Sequence, residues 1–131
     1  MKKYKTMILM LMGTCLLLNG CSSIKNFVFK SSEIEKIEFY YYELTKEIDG
    51  TEKDNFLLDL RKINYKYQYS ECKCMSEYYF IVRKSNRYLK FEPYRVNEYD
   101  ANSKLLRHYK YSCDYQTVFM PLISDYITPI V

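Results

Sequence analysis

The sequence predicts an α+β domain, an antiparallel sheet of four to six strands with two helices packed on it. Three observations carry that expectation. Short segments in which apolar and polar residues alternate, as at Ile37 to Tyr42, recur with turn residues between them. Two other segments place apolar residues three and four apart, the helical period. At 131 residues and 48% hydrophobic, the chain has material for one core, since domains usually run to roughly 100–200 residues. It is too short for a doubly wound nucleotide-binding enzyme with a second domain. Long charged or Pro/Gly-rich runs are absent, which argues against disorder.

The folded domain is expected over 34–131. Segment 34–44 reads as a strand, with Ile37, Phe39 and Tyr41 on one face and Glu38, Tyr40 and Tyr42 on the other. Asp49-Gly50 signals a turn. Thr51 with Asp54 resembles a capping box. Phe56, Leu57, Leu60 and Ile63 then share one helical face, so 52–63 reads as a helix. Strands follow at 65–69, 77–84 and 87–92, the last interrupted by Pro93, which has no N–H for a ladder. Segments 94–99 and 104–111 form a further hairpin about the turn at Asp100 to Ser103. Asp114 is placed to cap a last helix using Val118, Leu122 and Tyr126, which Pro121 either kinks or begins.

The first residues have a separate logic. Lys2, Lys3 and Lys5 precede an uncharged stretch from Met7 to Leu18, and Asn19-Gly20 ends it. A basic start followed by about 7–15 apolar residues is the pattern of a secretory signal peptide, and the stretch is short for a span of about 20. Leu18-Asn19-Gly20-Cys21 then resembles the lipobox of bacterial lipoproteins, with Leu18, Gly20 and Cys21 matching and Asn19 departing. The resemblance covers residues 1–21 only. It implies removal of 1–20 and acyl chains on Cys21, with the protein held at the bacterial cell membrane or outer membrane, outside the cytoplasm. Two or more chains anchor stably where one is marginal. Residues 21–33 are expected to be the lipidated cysteine and a tether. Phe27 and Phe29 within it suit either the headgroup zone or a first edge strand facing the core.

Export changes the charge reading. The net charge of +4 becomes about +1 once Lys2, Lys3 and Lys5 are gone, so no nucleic-acid partner is expected. Only three glycines are present in the whole chain, which excludes a P-loop or a dinucleotide fingerprint beyond Cys21. The single histidine, His108, makes a hydrolase a poor fit. No catalytic residue, cofactor or metal is therefore assigned.

Of five cysteines, Cys15 leaves with the signal peptide and Cys21 takes lipid. Cys72, Cys74 and Cys113 remain as disulfide candidates in an oxidising compartment. A bridge from Cys113 to either of the others closes a loop of about 40 residues, worth roughly 3–4 kcal/mol. Reduced thiols and a soft-metal site are the alternatives. All but Tyr4 of the 16 tyrosines lie beyond Cys21. Tyr joins an apolar ring to a polar tip, which suits binding of sugars, peptides or a protein partner; it also suits a half-wet sheet. Tyr40 and Tyr42 mark the expected binding surface. The expected function is non-enzymatic binding of a protein or wall polymer by a lipid-anchored domain. The alternatives are an inhibitor or immunity-type lipoprotein that blocks an enzyme, and thiol or metal handling.

Overall fold

A computed structural model describes residues 24–69 and 76–127. The expected signal peptide, Cys21, Cys72 and Cys74 lie outside the described residues. The fold is α+β. Its strands are β1 (Ile24–Lys25), β2 (Lys36–Tyr41), β3 (Leu44–Ile48), β4 (Tyr65–Tyr67), β5 (Tyr78–Arg83), β6 (Arg87–Glu92), β7 (Arg95–Asp100), β8 (Leu105–Tyr109) and β9 (Tyr111–Ser112). The helices are α1 (Gly50–Arg61) and α2 (Met120–Ile127). The strands form two antiparallel sheets, one of six strands ordered β3-β2-β5-β6-β7-β8 and one of three ordered β1-β4-β9.

Alternation decides what the large sheet buries. Phe39, Phe80, Phe91 and Val96 lie opposite one another across β2, β5, β6 and β7 and are fully buried. Ile37, Val82 and Leu89 form the next buried row. Phe56, Leu57 and Leu60 of α1 cover this face together with Phe119, Leu122, Ile123 and Ile127 near the C-terminus. Phe27 and Tyr65 complete the core from the small sheet. Among the described residues no helix covers the other face, as an antiparallel sheet allows.

Several expectations shift. The tether expected over 21–33 belongs largely to the fold, because Ile24 pairs with Lys66 and Phe27 is only 5% exposed. Burying that ring within 5.0 Å of Phe91 gains far more than leaving it in water. The single strand over 34–44 is a hairpin turning at Tyr42-Glu43. Tyr42 has φ 54°, a left-handed conformation that costs a non-glycine residue about 1–2 kcal/mol. Its ring packs on Tyr41 and Tyr78 at 4.9 and 5.2 Å, which offsets that cost.

Helix α1 buries the expected face but starts at Gly50, and Asp54 accepts from Ser31 instead of closing a capping box with Thr51. Pro93 sits with Tyr94 in the β6–β7 turn, where no ladder hydrogen bond is needed. Asp114 does cap the last helix, accepting from the N–H groups of Gln116 and Thr117 at 2.9 and 3.0 Å. The first turn, Tyr115–Phe119, is π-helical. It rotates the buried face to Phe119, Leu122, Ile123 and Ile127, leaving Val118 and Tyr126 half-buried.

Candidate functional site

The two tyrosines singled out by the sequence part company. Tyr40 lies on the open face of the large sheet, stacked on Tyr79 at 4.7 Å. Its hydroxyl donates to Glu38 at 2.6 Å. Burial, followed by the bond to Glu38, pushes the Tyr40 phenol up to about 12. Glu38 also accepts from the Arg83 guanidinium. Burial raises the Glu38 carboxyl, but Arg83, Tyr40 and Lys36 outweigh it and hold the group below its ordinary range.

The rest of the open face is similarly occupied. Lys90 stands 4.3 Å over the Tyr79 ring and Arg83 5.0 Å over Tyr88, which stacks on Tyr99 at 5.1 Å. Glu92 pairs with Arg95 at 2.7 Å and Lys90 at 3.5 Å. His108 shares a hydrogen bond with Asn97. These groups satisfy one another.

Tyr42 belongs elsewhere. Antiparallel pairing brings the end of β2 beside the start of β5, as Tyr41 lies opposite Tyr78. The same end of β5 lies beside the end of β6, so the turn carrying Tyr94 arrives there too. The π-helical turn adds Tyr115. Tyr78 stacks on Tyr115 at 5.9 Å, and Tyr94 on Tyr115 at 6.5 Å. Between them opens a groove of about 390 Å³ lined by Ser76, Glu77, Tyr78, Tyr94 and Tyr115. Tyr42, 57% exposed, stands at its edge with its hydroxyl 2.8 Å from that of Tyr78. Its N–H is held by the Glu77 carbonyl at 3.1 Å.

That shared hydroxyl bond raises the Tyr42 phenol. It acts downward on Tyr78, which burial and Tyr115 nevertheless raise. Both phenols are therefore neutral hydroxyls at physiological pH, able to donate and accept. The groove offers ring surface, hydroxyls and the exposed Glu77 carboxylate. Sequence reasoning missed Tyr78, Tyr94 and Tyr115, which only the strand order brings together. Its one usable signal was tyrosine abundance.

Cys113 is a free, half-buried thiol. Burial pushes it up to about 11, against a lowering contact with the Tyr65 hydroxyl. A thiol so raised stays protonated at neutral pH and is a poor nucleophile. No group of three or more metal-ligating side chains occurs among the described residues. No helix among them is long and apolar enough to cross a membrane. The chain matches no known family model, no curated protein and no solved structure.

Proposed function

We propose that the protein is a lipid-anchored binding protein of a bacterial cell envelope, facing outside the cytoplasm, whose tyrosine groove takes a neutral segment of wall glycan. The observation that carries this reading is the groove formed by Tyr78, Tyr94 and Tyr115 with Tyr42 at its rim. Sugars present C–H faces that pack on aromatic rings and hydroxyls that pair with phenols, serines and carboxylates. Among the described residues the groove holds these partners and no cation, which favours a neutral ligand over an anionic one. The lipobox-like Leu18-Asn19-Gly20-Cys21 supports the anchor.

Titration with soluble wall-glycan fragments tests the binding half. Tyr94→Ala and Tyr115→Ala are each expected to weaken binding by about fivefold, the value of one aromatic contact near 1 kcal/mol. Tyr99→Ala on the open face is expected to leave it unchanged. Loss of binding in the Tyr99 variant alone, or no glycan binding by the intact protein, refutes the assignment. Labelling cells with radioactive palmitate tests the anchor, and label persisting in a Cys21→Ser variant refutes it.

A further inference from the structure

The small sheet bears on how an anchored domain would sit. Only Ser22 and Ser23 separate Cys21 from β1. Three residue steps reach at most about 11 Å. An acyl chain on Cys21 therefore brings Ile24 to the lipid headgroups. The antiparallel register then says which residues arrive with it. Ile24 lies opposite Lys66, and Lys66 opposite Ser112. Past Lys66, β4 runs back in the direction of Cys21 and carries Tyr67 and Tyr69. Tyr67 lies opposite Tyr111, and the Gln68 N–H donates to the Lys110 carbonyl at 2.7 Å. Tyr67, Tyr69, Lys110 and Tyr111 thus share the end of the sheet from which the anchor arrives.

That end is chemically distinct. Tyr69 is 91% exposed and Ile24 58%. Tyr67 packs edge-on against both Tyr69 and Tyr111, at 5.4 and 6.1 Å. Lys66 and Lys110 lie at this end, and segments 24–30, 61–69 and 110–113, which build the whole sheet and its flanks, hold six bases and no acid. Asn26 ties β1 to the α1–β4 link through the carbonyls of Arg61 and Ile63 and the Asn64 side chain. Beside Lys66 a groove of about 490 Å³ is lined by Lys62, Asn64, Lys66 and Ser112 among others. The one carboxylate at it, Asp114, is already engaged by two backbone N–H groups.

We propose that this end of the small sheet seats on an anionic lipid surface, with Tyr67, Tyr69 and Ile24 at headgroup depth and Lys66 and Lys110 against lipid phosphates. The inference rests on the anchored reading above. Tyrosines and lysines are the side chains that tolerate this zone, the ring and stem lying in apolar material and the tip in water. Basic residues near an anionic leaflet each strengthen association by about fivefold, and salt screens them.

The test uses the processed protein purified from cells and reconstituted into vesicles of phosphatidylcholine alone or mixed equally with phosphatidylglycerol. Mass spectrometry first establishes acylation of Cys21. Amide hydrogen exchange is then followed. The expected result is slowing at 65–69 and 110–112 by about fivefold or more in the anionic vesicles alone, with β3 unchanged. The slowing is expected to vanish in molar salt and in a Lys66→Glu/Lys110→Glu variant, whose exposed positions leave folding intact. Acylated protein that exchanges equally in both vesicles overturns the seating and leaves the anchor standing. Protein without acyl mass on Cys21 overturns both.

Discussion

Phe80 and its neighbour Tyr79 point to opposite faces of β5, so truncating each in turn tests the sheet directly. Phe80 is fully buried, with ring centroids of Phe91, Phe56, Phe119 and Phe39 at 4.7, 4.9, 5.9 and 6.1 Å. Four rigid rings on four elements cannot collapse into the space left by Phe80→Ala. The cost is expected at the usual level for a core phenylalanine, about 3–5 kcal/mol. For a domain of this size that lowers the melting temperature by roughly 15–30 °C. Tyr79→Ala loses the Tyr40 stack and the Lys90 ammonium over the ring. Those contacts are half-wet, and the expected cost is about 1–2 kcal/mol. Urea denaturation of both variants measures the contrast, with equal slopes showing that stability alone has changed. Equal costs for the two, or a Phe80→Ala cost below about 1 kcal/mol, would refute the assignment of faces.

Other expectations follow from the same geometry. The Glu38 carboxyl is held below its ordinary value of 4.5 in the fold. Its contribution is therefore full above that value and is lost as pH falls through the depressed one. Wild-type urea midpoints should drop more steeply in acid than those of Glu38→Gln; parallel profiles would exclude the ion pair as a cause. Asp114→Ala removes the cap of the last helix and is expected to cost about 1 kcal/mol, with Asp114→Asn costing less. Thermal denaturation that does not separate the two would count against the cap. With Cys21, Cys72 and Cys74 replaced by serine, Cys113 should react with a thiol reagent near pH 8 at least about a hundredfold slower in the native protein than in urea, because its pKa is raised well above the free value. Similar rates would contradict its burial.

The parts of the fold legible in the sequence are those set by local periodicity. Phe56, Leu57 and Leu60 lie on one helix face by spacing alone, and Ile37 and Phe39 on one strand face. What failed depended on contacts distant in sequence. The turn at Tyr42 carries no glycine or asparagine to signal it, since packing against Tyr78 holds a tyrosine there. The strand at Ile24 is two residues long and exists through pairing with Lys66. The groove fared similarly. Tyr42 was visible as a member of the Tyr40-Tyr41-Tyr42 cluster. Tyr78, Tyr94 and Tyr115 come from three elements that meet only because β5 lies between β2 and β6. Tyr40 was placed with Tyr42 on one strand face by alternation, but the strand ends at Tyr41 and the turn carries Tyr42 away from that face.

The groove and the basic sheet are close neighbours, and this bears on what the proposed protein would bind. The Cys113 N–H donates to the Pro93 carbonyl at 2.9 Å, fastening the residue after β9 to the turn that carries Tyr94. A domain seated through Tyr67, Tyr69 and Lys66 therefore holds its tyrosine groove near the lipid surface. The charge distribution favours that orientation over others. Segment 33–59, which spans β2, β3 and α1 as far as Asp59, carries nine acids and three bases, whereas the segments of the small sheet and its flanks carry six bases and no acid. A net side-chain charge near +1 hides this separation. An anionic surface attracts the one region and repels the other, so it turns the domain about its anchor without adding much to the strength of attachment. In the proposed arrangement acyl chains would supply attachment and the segregated charge would supply orientation. A ligand taken in the groove is then one present at the membrane face, such as the innermost wall glycan or a polymer still carried on lipid.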